Sequence, residues 1–384
     1  MVEGGGRGPV PDRPRAPAHL RRRCPARPSG QRGERPVTRT WPDLLTSLVT
    51  GQDLDRDGTS WAMGEILSGA ATPVQVAGFM VALQAKGATP DELNGLVSAM
   101  LANARPISLP SREAVDIVGT GGDRANTVNV STMAALVAAA AGAKVVKHGN
   151  RAASSACGTA DCLEELGVVL DLDPAVQGRV FDEAGIVFLF ASHYHPSLRH
   201  AAVPRRELGI RTTFNFLGPL ANPARPLAQA IGVADRQMAE LVASVLADRG
   251  NRGLVFHGGD GLDELTTTTT SDVWVVAGRR VVRTTLDPLD LGIPRTTKDS
   301  LVGGGPPHNA QVVRDTFAGQ PGPVRDIVLL NAAAAILAFE GPDPDADLAG
   351  QLVGPLERAA AAVDSGAATA VLERWVALTR DLAA

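Results

Sequence analysis

Cysteine is nearly missing from this chain: Cys24, Cys157 and Cys162 are the only three among 384 residues. Three unevenly spaced thiols cannot build a disulfide framework, and Cys157 and Cys162 lack the C-x2-C spacing of a zinc knuckle. Reduced thiols in a cytoplasmic protein are the expectation. No long apolar run is present either. The longest weakly polar stretch, Met133 to Ala141, is mostly alanine and falls well short of the about 20 residues that span a bilayer, so no membrane is expected as a partner. A surplus of one charge is also lacking. With 37 basic against 41 acidic residues the formal charge is -4, which gives the whole chain no electrostatic case for nucleic acid as its main partner. Charged residues make up only 20% and hydrophobic ones 44%, so burial can offset chain entropy and global disorder is excluded. Lysine is the scarcest charge: Lys86, Lys144, Lys147 and Lys298 are four of the 37 basic residues. A lysine in a glycine-rich loop of such a chain stands out.

Residues 1–40 differ from the rest. They hold ten arginines against Glu3, Asp12 and Glu34, a charge of +7 by subtraction, with seven prolines, six glycines and almost nothing apolar to bury. Disorder is the expectation there. No apolar h-region follows the arginines, which disfavours a secretory signal. The readings left open are a nonfunctional extension, with Val37 a candidate alternative start, an organellar leader, or a basic tail for nucleic acid or a membrane surface.

From Trp41 the pattern becomes helical. Leu44, Leu45, Leu48 and Val49 recur at helix spacing behind Thr40, and further helices are expected over Ser60 to Ser68, Thr72 to Lys86 and Thr89 to Ala104. Thr72-Pro73 and Thr89-Pro90 each place a capping hydroxyl before proline at the first helical position. After Arg105-Pro106 strands and helices alternate. Strands are expected at Val115 to Val118, Lys144 to His148, Val168 to Leu170, Ile186 to Phe190, Gly253 to His257, Val273 to Val276 and Val281 to Thr284. Helices are expected at Val130 to Ala141, Cys162 to Leu166, Pro174 to Ala184, Ala234 to Asp248, Pro323 to Glu340, Leu348 to Ser365 and Ala367 to Leu382, with Gly303 to Pro307 a surface loop. Glycine-rich strand ends in such an alternation predict an α/β domain with ligand loops at the carboxyl edge of its sheet.

Four segments carry chemistry. Gly119-Thr-Gly-Gly-Asp123 leads from a strand into Asn129-Val-Ser-Thr132 at a helix start, where glycines, hydroxyls and free amides suit an anion; an ordinary tight turn is the competing reading. Lys147-His-Gly-Asn-Arg-Ala-Ala-Ser-Ser155 follows another strand, and its compact ammonium suits phosphate at close range. Asp263-Glu264 lies in a turn before Thr266 to Thr270 and can reach magnesium, or can be a solvated acidic turn. Beyond His193, Tyr194 and His195, Arg205 or Arg206 can pair with a substrate carboxylate over an aromatic floor, or lie on a helix surface. Neither a Rossmann nor a Walker spacing is present, so two hydroxyl-rich glycine loops favour a diphosphate over a dinucleotide.

Those motifs, together with Gly158-Thr-Ala-Asp161 and Phe214-Asn-Phe-Leu-Gly-Pro-Leu220, occur in an order that resembles the anthranilate phosphoribosyltransferase family over roughly Trp41 to Leu382. The resemblance implies a nucleoside phosphorylase/phosphoribosyltransferase-like fold. That means an α/β domain with a central mixed sheet (109–190 plus about 221–384), a smaller all-helical domain (41–108 plus about 191–220), and an active-site cleft at the hinge. It implies a homodimer without nucleic acid. It implies transfer of the phosphoribosyl group of 5-phosphoribosyl 1-pyrophosphate (PRPP) to the amine of anthranilate. PRPP is expected on Gly119, Gly122, Asp123, Thr127, Asn129, Val130, Ser131, Thr132, Lys147, His148, Gly149, Asn150, Arg151, Ala152, Ala153, Ser154, Ser155 and Thr159. About two Mg2+ ions are expected on Ser131, Asp263 and Glu264, and anthranilate on Gly119, Asn150 and Arg205, with Lys147, Asn150 and Arg205 as the catalytic set. Two departures from the family pattern stand out: Pro204 where valine is common, expected to reset a helix start before Arg205, and Thr159 where serine is usual.

Overall fold

Threonine and aspartate caps set the first four helices. Thr40 accepts from the Asp43 amide to start α1 (Trp41–Val49). Asp55 accepts from the Gly58 amide, which moves the start of α2 (Arg56–Ser68) four residues ahead of the expected Ser60. Capping boxes of Thr72 with Gln75 and of Thr89 with Glu92 open α3 (Pro73–Lys86) and α4 (Pro90–Ala102). Glu92 has a second role: fully buried, it receives Lys86 Nζ at 2.9 Å and the Leu54 amide at 2.9 Å, tying two interhelix turns together. α2 and α4 meet so closely that a Cβ on Gly95 would lie 2.2 Å from the Arg56 carbonyl oxygen, so only glycine fits there.

The computed structural model describes Met1 and residues 39–152 and 156–384. The readings made on residues 2–38, Cys24 and Val37 among them, and on Ala153, Ser154 and Ser155 lie outside the described residues. Residues Arg39–Ala384 form one unit, and no described helix is long and apolar enough to cross a membrane.

After the first four helices come β1 (Val115–Gly119), α5 (Val130–Ala140), β2 (Val145–Gly149), α6 (Thr159–Leu166), α7 (Gln177–Ala184) and β3 (Ile186–Phe190). Two short helices, α8 (Ala191–Tyr194) and α9 (Arg199–Leu208), lead to β4 (Ala228–Gly232), α10 (Arg236–Asp248), β5 (Arg252–Gly258), β6 (Ser271–Ala277) and β7 (Arg280–Leu286). Four helices close the chain: α11 (Pro306–Phe317), α12 (Pro323–Glu340), α13 (Leu348–Asp364) and α14 (Ala367–Ala383). The seven strands order as β3-β2-β1-β4-β5-β6-β7. The first five are parallel, and β6 and β7 continue antiparallel, so the sheet is mixed. Strand order reverses between β1 and β4, and a crevice at the carboxyl ends of these two strands is where an open α/β sheet takes its ligand.

One face of the sheet packs Ile117, Ala230, Leu254 and Phe256 against α5 and α12. The other packs Ile231, Val233, Val255 and Trp274 into a core continuous with Trp41, Phe79 and Leu96 of the helical layer. Phe214 and Phe216, from the segment after α9, join that second core, and α9 itself lies on α2 and α3.

Three expectations need correction. Val168 to Leu170 is not a strand: the Val169 amide donates to Thr379 Oγ1 at 3.1 Å and no neighbouring strand pairs with it. The five-residue β4, Ala-Gln-Ala-Ile-Gly, is absent from the expected strands, because a wholly buried strand shows no alternation and this one has a single β-branched residue. The loop expected through Pro307 ends at Gly305, since Pro306 and Pro307 occupy the first turn of α11, where a missing N–H is harmless.

Candidate active site

Both strands at the crevice end in glycine, and Asp263 is the reason. A Cβ on Gly119 would sit 2.2 Å from Asp263 Oδ2, and one on Gly232 would sit 1.7 Å from the Asp263 carbonyl oxygen. The Asp263 turn is thus wedged directly across the ends of β1 and β4. The Gly121 amide donates to Asp263 Oδ2 at 2.6 Å from a loop in which Gly121, Gly122, Arg124 and Asn126 all have positive φ. Left-handed backbone at two non-glycine residues marks a loop held in shape by its surroundings.

The loop that carries Asp263 and Glu264 is pinned. Asp260 Oδ2 accepts from Thr266 Oγ1 at 2.9 Å and Thr268 Oγ1 at 2.6 Å, while Lys298 Nζ donates to the Asp260 carbonyl. Asn331 exchanges hydrogen bonds with both backbone groups of Leu265 at 3.0 and 2.9 Å. The threonine run, buried at Thr266 and Thr267, therefore anchors the acidic turn, and the solvated-turn reading falls: Glu264 is buried.

Charge in the crevice is unbalanced. Burial, and secondarily Asp123, push the Asp263 carboxyl up to about 7. Burial and Asp263 push Glu264 well above the ordinary range, against the Lys147 charge and the Ser131 amide. Lys147 is 1% exposed and lies beneath them, donating to the Ile117 carbonyl at 2.5 Å and to Ser131 Oγ at 3.2 Å. Burial lowers its pKa, and Asp116, Glu264 and Asp263 act to raise it again. The ammonium expected at phosphate is thus an internal cation, touching the site through Ser131. Asp116, also buried, reaches about 6 by desolvation; it accepts from the His148 amide at 3.1 Å and from Asn222 Nδ2 at 2.9 Å.

Two adjacent carboxylates and the Ser131 hydroxyl, with more negative charge than Lys147 neutralises, fit a hard divalent cation such as Mg2+. That ion takes few protein ligands and fills its shell with water and phosphate oxygens. Among the described residues no three histidine, cysteine, aspartate or glutamate side chains converge as a ready-made metal cage.

This imbalance sets a pH dependence. A carboxyl whose folded pKa exceeds its unfolded value contributes stability present below the unfolded pKa and lost as pH rises through the folded one. Asp116 (about 6) and Asp263 (about 7) are such groups, whereas arginine-paired carboxyls such as Asp272, held low, act in a more acidic window. His148 and His195, whose folded pKa burial lowers, act with the opposite sign, so the acids are read by difference: the urea midpoint of the metal-free protein, relative to that of an Asp263→Asn variant, is expected to fall between pH about 5 and about 8. A relative midpoint that rises across that range would contradict the burial of Asp263.

The second anion element is the start of α5. Asn129 supplies no side-chain cap; its amide group is spent on the Cys157 carbonyl at 3.2 Å and on Asn309 Nδ2 at 2.8 Å. The first helix amides are met within the chain, Val130 by the Val128 carbonyl, Ser131 by Glu264 and Thr132 by the Asn129 carbonyl, so an anion here would meet hydroxyls and the positive end of the helix dipole. Thr132 and Thr159 hydroxyls stand 3.5 Å apart. Gly149 is required because a Cβ would meet the Phe188 ring at 2.8 Å. Thr127 bridges to Val302, which fixes the backbone ahead of the helix.

Other expected ligands are turned away. Val130 is in the core, and its amide donates to the Val128 carbonyl at 2.7 Å. Arg151 is engaged by Glu164 at 2.5 and 2.8 Å and by Asp161 at 3.0 Å, which hold its pKa above the ordinary value, and the Ala152 amide donates to Asp161 at 3.0 Å. His148 points to the Gly218 carbonyl at 3.2 Å, stacked edge-on to His195, and burial drives its pKa down to about 3. Tyr194 is buried beneath the surface and cannot floor a substrate. Asn150 Oδ1 accepts from Ser192 Oγ at 3.1 Å, linking the lysine loop to α8.

Pro204 lies inside α9 and does not start it; the helix begins at Arg199. Arg205 and Arg206 are both in its last turn, and neither has an ion pair or side-chain hydrogen bond among the described residues. Arg205 is exposed overall, yet burial lowers its guanidinium pKa. Sequence reasoning missed Arg211 and gave Asp161 no role beyond its place in a motif. Arg211 lies over the glycine loop, 3.7 Å from where a Gly122 Cβ would be, and no motif signals it. Asp161 organises the second loop through Arg151, Ala152 and Gly158, and its signal was the acid three residues after a helix start.

Comparison with known proteins matches this geometry. Residues 42–104 fit the helical bundle domain of the glycosyl transferase family, and residues 111–369 fit its a/b domain. The chain is 60% identical over 342 residues to an anthranilate phosphoribosyltransferase of Thermobifida fusca, covering 88% of this chain and 96% of that one. It is 60% identical over 341 residues to one of Arthrobacter, covering 89% and 96%. Among solved structures, the anthranilate phosphoribosyltransferase of Thermus thermophilus superposes with TM-score 0.81 at 40% identity, over 88% of this chain and 99% of that one. The Saccharomyces cerevisiae enzyme in complex with PRPP and Mg superposes with TM-score 0.80 at 26% identity, over 89% and 98%. On sequence along nearly its whole folded length, and on fold, the chain belongs to the anthranilate phosphoribosyltransferase family.

Proposed function

We propose that this protein transfers the phosphoribosyl group of PRPP to the amine of anthranilate. The products are N-(5-phosphoribosyl)anthranilate and pyrophosphate, in L-tryptophan biosynthesis, as a cytoplasmic enzyme using about two Mg2+ ions. The observation that carries the reading is the Asp263-Glu264 turn wedged over the β1 and β4 ends, next to the α5 N-terminus, whose Ser131 amide meets Glu264. Bound Mg2+ would neutralise the diphosphate and assist its departure. The chain's own contribution is positional. The Thr132 and Thr159 hydroxyls and the positive end of the α5 dipole hold phosphate, Asp263, Glu264 and Ser131 hold the metal, and Lys147 keeps that acidic floor in place from below. The anthranilate amine is a neutral nucleophile at pH 7, so no strong base is required. Closure of the helical domain (41–108 with about 191–220) over the α/β domain would orient the amine and exclude water.

A homodimer goes with this reading, and the exposed valines of α1 and α3, Val49, Val74 and Val81, are where its contacts would be sought. Loss of anthranilate fluorescence on incubation with PRPP and Mg2+ tests the activity; no loss at any Mg2+ concentration would reject it. Arg205→Ala is expected to raise the anthranilate KM about tenfold or more, as loss of one charge-assisted pair, with the PRPP KM little changed. Arg206→Ala should be milder. Unchanged anthranilate use in Arg205→Ala with a large loss in Arg206→Ala would shift the assignment by one residue.

A further inference from the structure

On the amino edge of the sheet, opposite the crevice, basic side chains gather where no acid answers them. Arg112, Arg225 and Arg249 line a cavity of ≈ 320 Å³ together with Leu101, Leu246 and Gln229, and no aspartate or glutamate is in its wall. A neighbouring cavity of ≈ 500 Å³ shares Arg112 and Arg225, adds Arg105, and is likewise free of acids. None of these four arginines has an ion pair among the described residues. Three of them spend hydrogen bonds on neutral oxygens. Arg112 Nε donates to the Arg225 carbonyl at 2.7 Å, Arg225 Nη2 to the Leu101 carbonyl at 3.5 Å, and Arg249 to the Leu220 carbonyl at 2.9 Å and Asn94 Oδ1 at 3.3 Å. Burial, with Arg225 and Arg56 nearby, pushes Arg249 down to about 10. Arg225 is moreover held at φ 50, a left-handed conformation unusual for a side chain of its size.

A second observation, independent of charge, points the same way. Gln229 is 5% exposed, and its amide oxygen is buried without a hydrogen-bond partner. The two other buried amides of this wall are both engaged: Asn222 bonds Asp116 and the Val146 carbonyl at 2.9 Å each, and Asn251 bonds the Pro226 and Leu227 carbonyls at 2.9 and 3.2 Å. An oxygen left unmet in an otherwise satisfied wall calls for a donor that enters the cavity.

We propose that this cavity is a binding site for a small organic anion. Its carboxylate or phosphate head is held by Arg112, Arg225 and Arg249, its apolar body rests on Leu101 and Leu246, and an N–H or O–H group donates to Gln229. Guanidinium forks match the planar or tetrahedral oxyanion. The volume, near the lower bound of small-molecule sites, exceeds what an inorganic ion fills. Arg105 and Arg112 lie on the crossover from α4 to β1 and Arg225 on the return into β4, so a bound anion would tie together the two segments that join helical layer to sheet.

The test is calorimetric titration of the full chain with N-acetyl-L-phenylalanine, phenyl phosphate and inorganic phosphate. One site per chain is expected for an organic anion, weakened at least about tenfold in an Arg112→Gln/Arg225→Gln double variant. The tighter of the two organic probes identifies the head group. Equal affinity of wild type and variant for both, or inorganic phosphate binding there as tightly as either, overturns the proposal. Gln229→Glu gives a reading that does not depend on the double variant folding. A carboxylate set among the arginines should take the ligand's place, block both organic probes and raise the melting temperature. A lowered melting temperature with binding intact would equally overturn it.

Discussion

Asp263→Asn combined with Glu264→Gln should abolish turnover and leave the metal-free protein as stable as the wild type or more so. Both carboxyls sit in a desolvated crevice that disfavours their charge, so neutral isosteres relieve repulsion while keeping volume. The Gly121 amide retains an oxygen to bond, since an asparagine side chain can accept as Asp263 does. Activity is lost for a different reason: two carboxamides bind Mg2+ far more weakly than two carboxylates. Differential scanning calorimetry without metal, paired with turnover across a Mg2+ series, separates the effects. A double variant with normal Mg2+ dependence would remove these residues from the metal site.

Lys147→Met carries the opposite expectation for stability. The replacement fits the same buried space but leaves the Ile117 carbonyl without its donor and Asp116, Asp263 and Glu264 without their central cation. Removing one partner from such a buried set typically costs about 3 to 5 kcal/mol. The catalytic loss should reach about a hundredfold or more, through displacement of Ser131 and of the acidic turn. Raised Mg2+ should recover part of it, because the metal replaces some of the missing positive charge. Urea unfolding and kcat/KM at two Mg2+ concentrations check this. Near-native stability would mean that the ammonium is not the cation on which the floor rests.

What could be read from the sequence follows from how local each signal was. Thr72 and Thr89 announced their helices because a cap, a proline and an acid or amide three residues on act within one turn. The glycine loops at 119–123 and 147–149 were legible for the same reason. Their glycines, however, answer to a residue more than a hundred positions away, since Gly119 is small to make way for Asp263. Arg151 misled because a basic residue in a phosphate-like loop looks like a ligand until Glu164, thirteen residues on, is seen to occupy it. β4 was hidden by complete burial, which erases alternation. Lys147 was singled out by its rarity, but burial is a tertiary property, and no spacing could say that it would face inward.

The antiparallel turn-back after β5 has a mechanical consequence. In an all-parallel sheet the chain leaving β5 would depart over a face through a helix. Here it reverses into β6, and the loop between them is forced to double back across the rim, where Asp260 and the threonines tie it to itself and Asn331 rivets it to α12. A loop fastened along its length is a jaw that cannot move. The acidic turn is therefore the fixed anvil of the cleft, and any opening and shutting falls to the half that carries α9. In an ensemble measurement, Asp263 and Glu264 would be as still as the strands beneath them, and Arg205 would do the travelling.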